Sequence, residues 1–108
     1  MRSTADDLIA IADGYGVLFP DGKDPLRIML RLTEELGEVA AEVAHLESHG
    51  AKTAKHGAPD RARLAAEVED VLHNVFALVR HYGIEDALDA EIVATLARHR
   101  AALAEPRS

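Results

Sequence analysis

The sequence predicts an all-α fold: a helical bundle of four helices per chain, completed by oligomerisation. The residues are 48% hydrophobic, yet the chain has only two Phe, two Tyr and no Trp, a composition typical of helical bundles. Apolar residues recur at helical spacing in several segments. A chain of 108 residues is expected to form one domain, residues 1–108, with a single core.

The first predicted helix is short. Thr4 and Asp7 are spaced as a weak capping box, which starts a helix running from about Ala5 to Asp13. Gly14 and Gly16 are expected to end it, because glycine disfavours helix continuation.

The second predicted helix has the clearest start signal in the chain. Asp24 followed by Pro25 is typical of an N-cap and a proline at the first helical position, and the helix is expected to reach about Ser48. Its apolar positions follow helical spacing: Ile28, Leu32, Leu36, Val39, Val43 and Leu46. Small and polar residues after it predict a mobile loop near residues 49–59.

Two further helices complete the predicted bundle. Asp60 is expected to cap a third helix that reaches about Tyr82, where Gly83 supplies a C-cap. Apolar residues surround this third helix on nearly every side, which predicts burial by neighbouring helices and by another subunit. A fourth helix is expected from about Glu85 to Leu103, with a frayed tail after residue 104.

Charge and composition limit the function. The formal net charge of −7 argues against binding nucleic acid through its phosphates. No cysteine is present, so neither a disulfide framework nor a zinc–thiolate site is available. No apolar run approaches the ~20 residues that span a bilayer, and the N-terminus does not resemble a signal peptide. A cytoplasmic protein without a membrane or nucleic-acid partner is therefore expected.

Two acidic motifs within the apolar helices are the candidate functional site. Glu35 and Glu38 lie one turn apart on one face of the second helix, as Glu67 and Asp70 do on the third. Glu-rich helices are more often solvated faces than ligand sets. Acids inside an apolar helix, however, are usually paired or bound to metal, and crowded carboxylates need cations to stay ionised. The two motifs together predict a site for a hard divalent ion.

The same residues resemble a known family. The pattern Glu35-x-x-Glu38 followed by Glu67-x-x-Asp70, with its flanking residues Leu32–Ala40 and Glu67–Leu72 and the junction His81–Leu88, is similar to the MazG-like all-α nucleoside triphosphate pyrophosphohydrolases. This resemblance covers about residues 26–100. It implies hydrolysis of a (deoxy)nucleoside triphosphate to the monophosphate and pyrophosphate, for house-cleaning of the nucleotide pool.

The resemblance also implies the cofactor and the catalytic residues. Mg²⁺, or Mn²⁺ in its place, would be held by Glu35, Glu38, Glu67 and Asp70, because all-carboxylate sites suit hard ions. Glu34 is about 100° around the helix from Glu35 and is the candidate general base or outer ligand. A homodimer or a dimer of dimers is expected from the third helix, because the other helices of one chain cannot cover its apolar circumference well and a second subunit can.

Several polar residues are candidates for substrate binding. Asn74 either binds a base or sugar edge or is a core amide bonded to a backbone carbonyl. Lys52, Lys55 and Arg98 are candidates for phosphate contacts. His73 is expected to be a surface histidine. The last helix lacks the lysines and asparagine that the family often has there, so the sequence does not decide which groups bind the phosphates.

Two alternatives remain open from the sequence. Glu42-Val43-Ala44-His45, with Asp70-Val71-Leu72-His73 as a poorer match, resembles the motifs of a carboxylate-bridged di-iron or di-manganese bundle. A non-catalytic helical module that oligomerises or binds nucleotides is the second alternative. The first alternative accounts poorly for Glu34, Glu35 and Glu67, and the presence of acids at all four ligand positions argues against the second.

Overall fold

A computed structural model describes residues 3–47 and 58–106. These residues form four α-helices and one short 3-10 helix, without a β-strand in the described ranges. The helices are α1 (Thr4–Leu18), α2 (Pro25–Leu46), α3 (Arg61–Tyr82) and α4 (Glu85–Ala104), and the 3-10 helix (Pro20–Lys23) connects α1 to α2. The all-α fold class predicted from composition and periodicity is confirmed.

The predicted caps of α2 and α3 are confirmed. The side chain of Asp24 accepts a hydrogen bond from the backbone N–H of Leu26, and the side chain of Asp60 accepts one from Ala62. Each satisfies an amide that has no partner within its helix. Gly83 ends α3 in the left-handed region, with φ 62°, where a residue without Cβ has no steric penalty.

Helix α1 differs from its prediction at both ends. Its N-cap is Ser3, whose hydroxyl accepts from the N–H of Asp6, rather than a capping box at Thr4. The helix also continues through Gly14 and Gly16 to Leu18. A Cβ at Gly16 would lie 2.8 Å from Cε of Lys23, near the flexible end of that side chain. The weak helix propensity of glycine, about 1 kcal/mol less favourable than that of alanine, does not end the helix here.

Helices α1 and α2 both pack antiparallel to α3. Along α2 and α3, residue pairs in contact run in opposite order: Glu42 lies near Arg63, and Arg31 lies near Asn74. Tyr15 of α1 stacks on His73. The buried apolar core is small and is formed by Leu8, Ala12, Ile28 and Val79.

Parts of α3 and α4 keep apolar surface. The apolar side chains of α3 were expected to be covered on nearly every side, yet Val68, Leu72 and Val75 are 36–39% exposed. Helix α4 has no buried residue, and its Ile92 and Leu96 are exposed. The described residues of one chain therefore leave these faces partly uncovered. No helix among the described residues is both long enough and apolar enough to cross a membrane.

Predictions on residues 48–57 and on residues 107–108 lie outside the described residues. They include most of the predicted loop at 49–59 and the end of the predicted tail. Helix α2 ends at Leu46 and α4 at Ala104, within two residues of their predicted ends.

Candidate active site

Three of the four predicted ligands meet between α2 and α3. Glu35, Glu67 and Asp70 each place one carboxylate oxygen within 4.8 Å of those of the other two. The antiparallel packing of α2 on α3 produces this arrangement, because it sets the middle of one helix against the middle of the other. All three side chains are half-buried. A group of this size and donor chemistry can bind a hard divalent cation.

The electrostatics of this acidic group oppose full ionisation in the absence of a cation. Partial burial raises the pKa of Glu35, and the neighbouring negative charges of Asp70 and Glu67 raise it further. Both effects disfavour the charged form of the carboxylate. A divalent cation bound among the three oxygens would remove this penalty, so the donor set fits the metal that the sequence predicted.

Glu38 and Glu34 lie outside the group of three. Glu38 is one turn along α2 from Glu35 and its side chain is exposed, and it does not share the 4.8 Å cluster with the others. Glu34 is also exposed. Their predicted roles as a fourth ligand and as a general base stay predictions.

A cavity of about 850 Å³ opens beside the acidic group. Glu35 and Asp70 line one part of it, and residues of α1, the 3-10 helix and α3 line the rest. This volume lies in the range of pockets that hold small-molecule ligands. The acidic group is thus part of the wall of a pocket that is large enough for a nucleotide.

One side of the cavity carries aromatic rings. The Tyr15 ring stacks on the His73 ring, with centroids 4.8 Å apart, and on the Phe19 ring, with centroids 6.2 Å apart. His73 is only 9% exposed, and its Nδ1 lies 3.0 Å from Oε1 of Glu69. The prediction of a surface histidine is therefore wrong: α1 extends past its predicted end and covers this side chain.

Asn74 is a buried amide bonded to a backbone carbonyl, which is one of the two alternatives predicted for it. It is 5% exposed, and its Nδ2 donates a 2.8 Å hydrogen bond to the backbone carbonyl of Asp70. Its Oδ1 accepts a 3.5 Å hydrogen bond from Nε of Arg31. Asn74 also lines the cavity, so it connects the backbone of α3 to Arg31 of α2 and borders the pocket as well.

Of the three basic residues predicted to bind phosphate, one lies in the described part of the chain, and it is not at the cavity. Lys52 and Lys55 lie outside the described residues. Arg98 of α4 is exposed, lies 3.3 Å from Glu91, and does not line the cavity. The cations that do line it are Lys23, Arg31 and Arg80.

The two motifs of the di-iron alternative lie apart, with Glu42 and His45 in one position and Asp70 and His73 in another. Glu42 and His45 are both 1% exposed, and neither belongs to a metal-competent group among the described residues. Oε2 of Glu42 lies 3.8 Å from Nε of Arg63. Asp70 and His73 instead form a second candidate metal group with Glu69. The two Glu/Asp-x-x-His motifs therefore do not share one site in this part of the chain.

Sequence reasoning missed Arg31 and Tyr15. Arg31 lies four residues before Glu35, on the same helical face. This spacing was a signal that Arg31 lies near the acidic group. Tyr15 had no such signal, because α1 was predicted to end before it.

Comparison with known proteins gave two matches. Residues 23–100 match the model of the MazG nucleotide pyrophosphohydrolase domain. The chain is also 39% identical over 89 residues to the uncharacterized protein YpjD of Bacillus subtilis (strain 168), an alignment that covers 80% of this chain and 78% of that protein. No solved structure matches the chain at a significant level.

Proposed function

Since this chain belongs to the MazG nucleotide pyrophosphohydrolase family, we propose that it hydrolyses a (deoxy)nucleoside triphosphate to the monophosphate and pyrophosphate. One observation carries the proposal beyond family membership. The acidic group of Glu35, Glu67 and Asp70 lies at the wall of the 850 Å³ cavity. A nucleoside triphosphate needs cations at its phosphates and a pocket for its nucleoside. The acidic group can bind the cations, and the cavity beside it can hold the nucleoside.

The proposed cofactor is Mg²⁺, with Mn²⁺ as a substitute. Glu35, Glu67 and Asp70 would hold it, with Glu38 as a fourth ligand from the next turn of α2. Carboxylates suit these hard ions, which keep water and substrate phosphate oxygens among their ligands. When bound, such an ion neutralises phosphate charge and lowers the pKa of a bound water.

Glu34 is the proposed general base. It lies about 100° around α2 from Glu35, on the exposed side of the helix, where its carboxylate can accept a proton from water. Glu34→Gln is expected to lower kcat while KM and metal affinity change little, because the substitution keeps the shape of the side chain and removes the basic oxygen.

The working form is proposed to be a homodimer or a dimer of dimers. The uncovered apolar side chains of α3 and α4 support this, since large exposed apolar patches mark interaction sites. Sedimentation at several protein concentrations tests it, and a compact monomer at all of them would contradict it. A cytoplasmic location, without a nucleic-acid or membrane partner, completes the proposal.

The experiment that tests the activity measures pyrophosphate release from a panel of canonical, deoxy and oxidised nucleoside triphosphates. Each reaction is run with Mg²⁺, Mn²⁺ or EDTA, and the products are separated to distinguish monophosphate from diphosphate. The proposal expects metal-dependent formation of monophosphate. Failure to hydrolyse any triphosphate, with folded protein and metal present, would reject it.

A matched pair of variants ties the activity to the acidic group. Asp70→Asn is expected to abolish turnover, because it removes one ligand charge while keeping the shape of the side chain. Asp89→Asn makes the same change on exposed α4 and should leave turnover unchanged. Iron analysis and a visible absorption spectrum test the di-iron alternative, and nucleotide binding without turnover by the folded wild type would favour a non-catalytic module.

A further inference from the structure

Arg31 is an exposed cation that lines the cavity, and both of its hydrogen-bond partners among the described residues are uncharged. Its Nη2 donates a 2.8 Å hydrogen bond to the backbone carbonyl of Gly22, and its Nε donates to Oδ1 of Asn74 at 3.5 Å. Within residues 3–47 and 58–106 it forms no ion pair with Glu35, although the two are four residues apart on α2. Its charge therefore lies at the wall of the cavity, where no carboxylate of the described residues is paired with it.

The other cavity arginine is placed differently. Arg80 makes two 3.0 Å hydrogen bonds to the two carboxylate oxygens of Asp13, and its Nη1 lies 3.4 Å from Glu85. These acids compensate its charge, and its planar donor fork is already occupied. Arg31 is the arginine of the two that is not paired with a carboxylate, and two of the five N–H groups of its guanidinium are used.

Gly22 leaves room for the guanidinium. A Cβ at Gly22 would lie 3.3 Å from Nη1 of Arg31, which is closer than side chains normally approach. The backbone of Gly22 does not have a positive φ, since Gly83 is the glycine with that conformation. Glycine is therefore needed here for space and not for backbone freedom, and it fixes where the guanidinium lies.

The position of Arg31 indicates which part of a ligand it meets. It lies one helical turn, about 5.4 Å, from Glu35 of the acidic group. On the other side of its guanidinium, Gly22 adjoins Phe19 of the aromatic wall. A nucleotide with its outer phosphates at the acidic group and its base at the aromatic rings would place its innermost phosphate between them.

We infer that Arg31 binds the phosphate group that stays on the nucleoside, and so holds both the triphosphate substrate and the monophosphate product. This rests on the proposed function. The chemistry favours phosphate because guanidinium groups bind phosphate oxygens through paired, charge-assisted hydrogen bonds. This inference places a phosphate contact on α2, whereas the sequence analysis proposed Lys52, Lys55 and Arg98 for that role.

The test compares binding of a monophosphate with binding of its nucleoside. Isothermal titration calorimetry measures the affinity of the wild type and of Arg31→Met for UMP, CMP, AMP and GMP and for the four corresponding nucleosides. The variant should bind the preferred monophosphate roughly tenfold more weakly or worse, as expected for loss of hydrogen bonds to a charged group, while nucleoside binding stays the same. KM for the triphosphate should rise by a similar factor for every base.

Three further variants make the test specific. Arg27→Met removes an exposed arginine one turn earlier on α2 that does not line the cavity, and its binding should match the wild type. Arg31→Lys keeps the charge and should recover part of the affinity. Gly22→Val keeps Arg31 but places a side chain where its guanidinium lies. This variant should bind the monophosphate more weakly and the nucleoside as well as the wild type does.

The possible failures are distinguishable. Equal loss of monophosphate and nucleoside binding in a folded Arg31→Met protein would overturn the inference, because Arg31 would then contact the base or shape the pocket. No change in either, or no monophosphate binding by the wild type, would also overturn it. Selective loss of monophosphate binding without hydrolysis of any triphosphate would support the phosphate contact and reject the proposed function.

Discussion

Replacing Glu35 with glutamine should stabilise the metal-free protein. The carboxylate oxygens of Glu35, Glu67 and Asp70 lie within 4.8 Å of one another, so ionised Glu35 faces two like charges. Two unit charges at that distance repel by roughly 3.5 kcal/mol at an effective dielectric constant of about 20, and by roughly 0.9 kcal/mol in bulk water. Because the side chains are half-buried, we expect a net gain of about 1–3 kcal/mol in the free energy of unfolding.

The assay is thermal unfolding in EDTA at pH 8, where the carboxylates are most ionised. For a chain of this size the gain corresponds to a rise in Tm of about 4–12 °C. Glu34→Gln makes the same change on the neighbouring exposed residue, and its effect should stay within about 0.5 kcal/mol. Glu35→Gln should also lose turnover, since it lacks a ligand charge.

Saturating Mg²⁺ should reverse the order of stability. A cation that binds the folded wild type at 100 times its Kd adds about 2.7 kcal/mol, and Glu35→Gln should gain much less. The reasoning would be refuted if the variant were less stable than the wild type in EDTA, because Glu35 would then be a structural residue. Equal stabilisation of both proteins by Mg²⁺ would place the metal elsewhere.

Three further outcomes follow from the structure. The raised pKa of Glu35 means that the folded state holds this proton more tightly than the unfolded state. In EDTA, stability should therefore fall as pH rises from the ordinary carboxyl pKa through the raised one, and urea titrations at pH 4.5–8 should show a smaller fall for Glu35→Gln. A double-mutant cycle of Asp13→Asn and Arg80→Met should give a coupling of about 0.2–1 kcal/mol, since this α1–α3 pair is exposed; a coupling of zero would mean that the pair does not hold α1 in place. Gly83→Ala should lower the free energy of unfolding by about 1–2 kcal/mol, because its φ of 62° penalises a Cβ, and an unchanged urea midpoint would contradict this.

Much of the fold was predictable because its signals are local. The N-caps at Asp24 and Asp60 and the C-cap at Gly83 depend on hydrogen bonds between residues that are close in sequence. The pattern therefore placed α2, α3 and α4 within about two residues of their observed ends. Helix α1 was the exception, since it continues through Gly14 and Gly16 to Leu18 although glycine has a weak helix propensity.

The site was predictable in part for a related reason. Helical periodicity and the family resemblance selected Glu35, Glu67 and Asp70, and the antiparallel packing of α2 on α3 brings their carboxylates together. The same packing left Glu38 outside the group. Burial of His73 under Tyr15 was not predictable, because it depends on where α1 crosses α3.

The sequence by itself determined the helices, their caps and the chemistry of the acidic motifs, because each is set by residues within one or two turns of each other. Tertiary packing determines which acids meet, which rings line the cavity and which cavity arginine has no carboxylate partner among the described residues. Those properties depend on side chains that are distant in sequence, such as Arg31 and Asn74 or Tyr15 and His73. Only the packing of the helices brings them within contact distance.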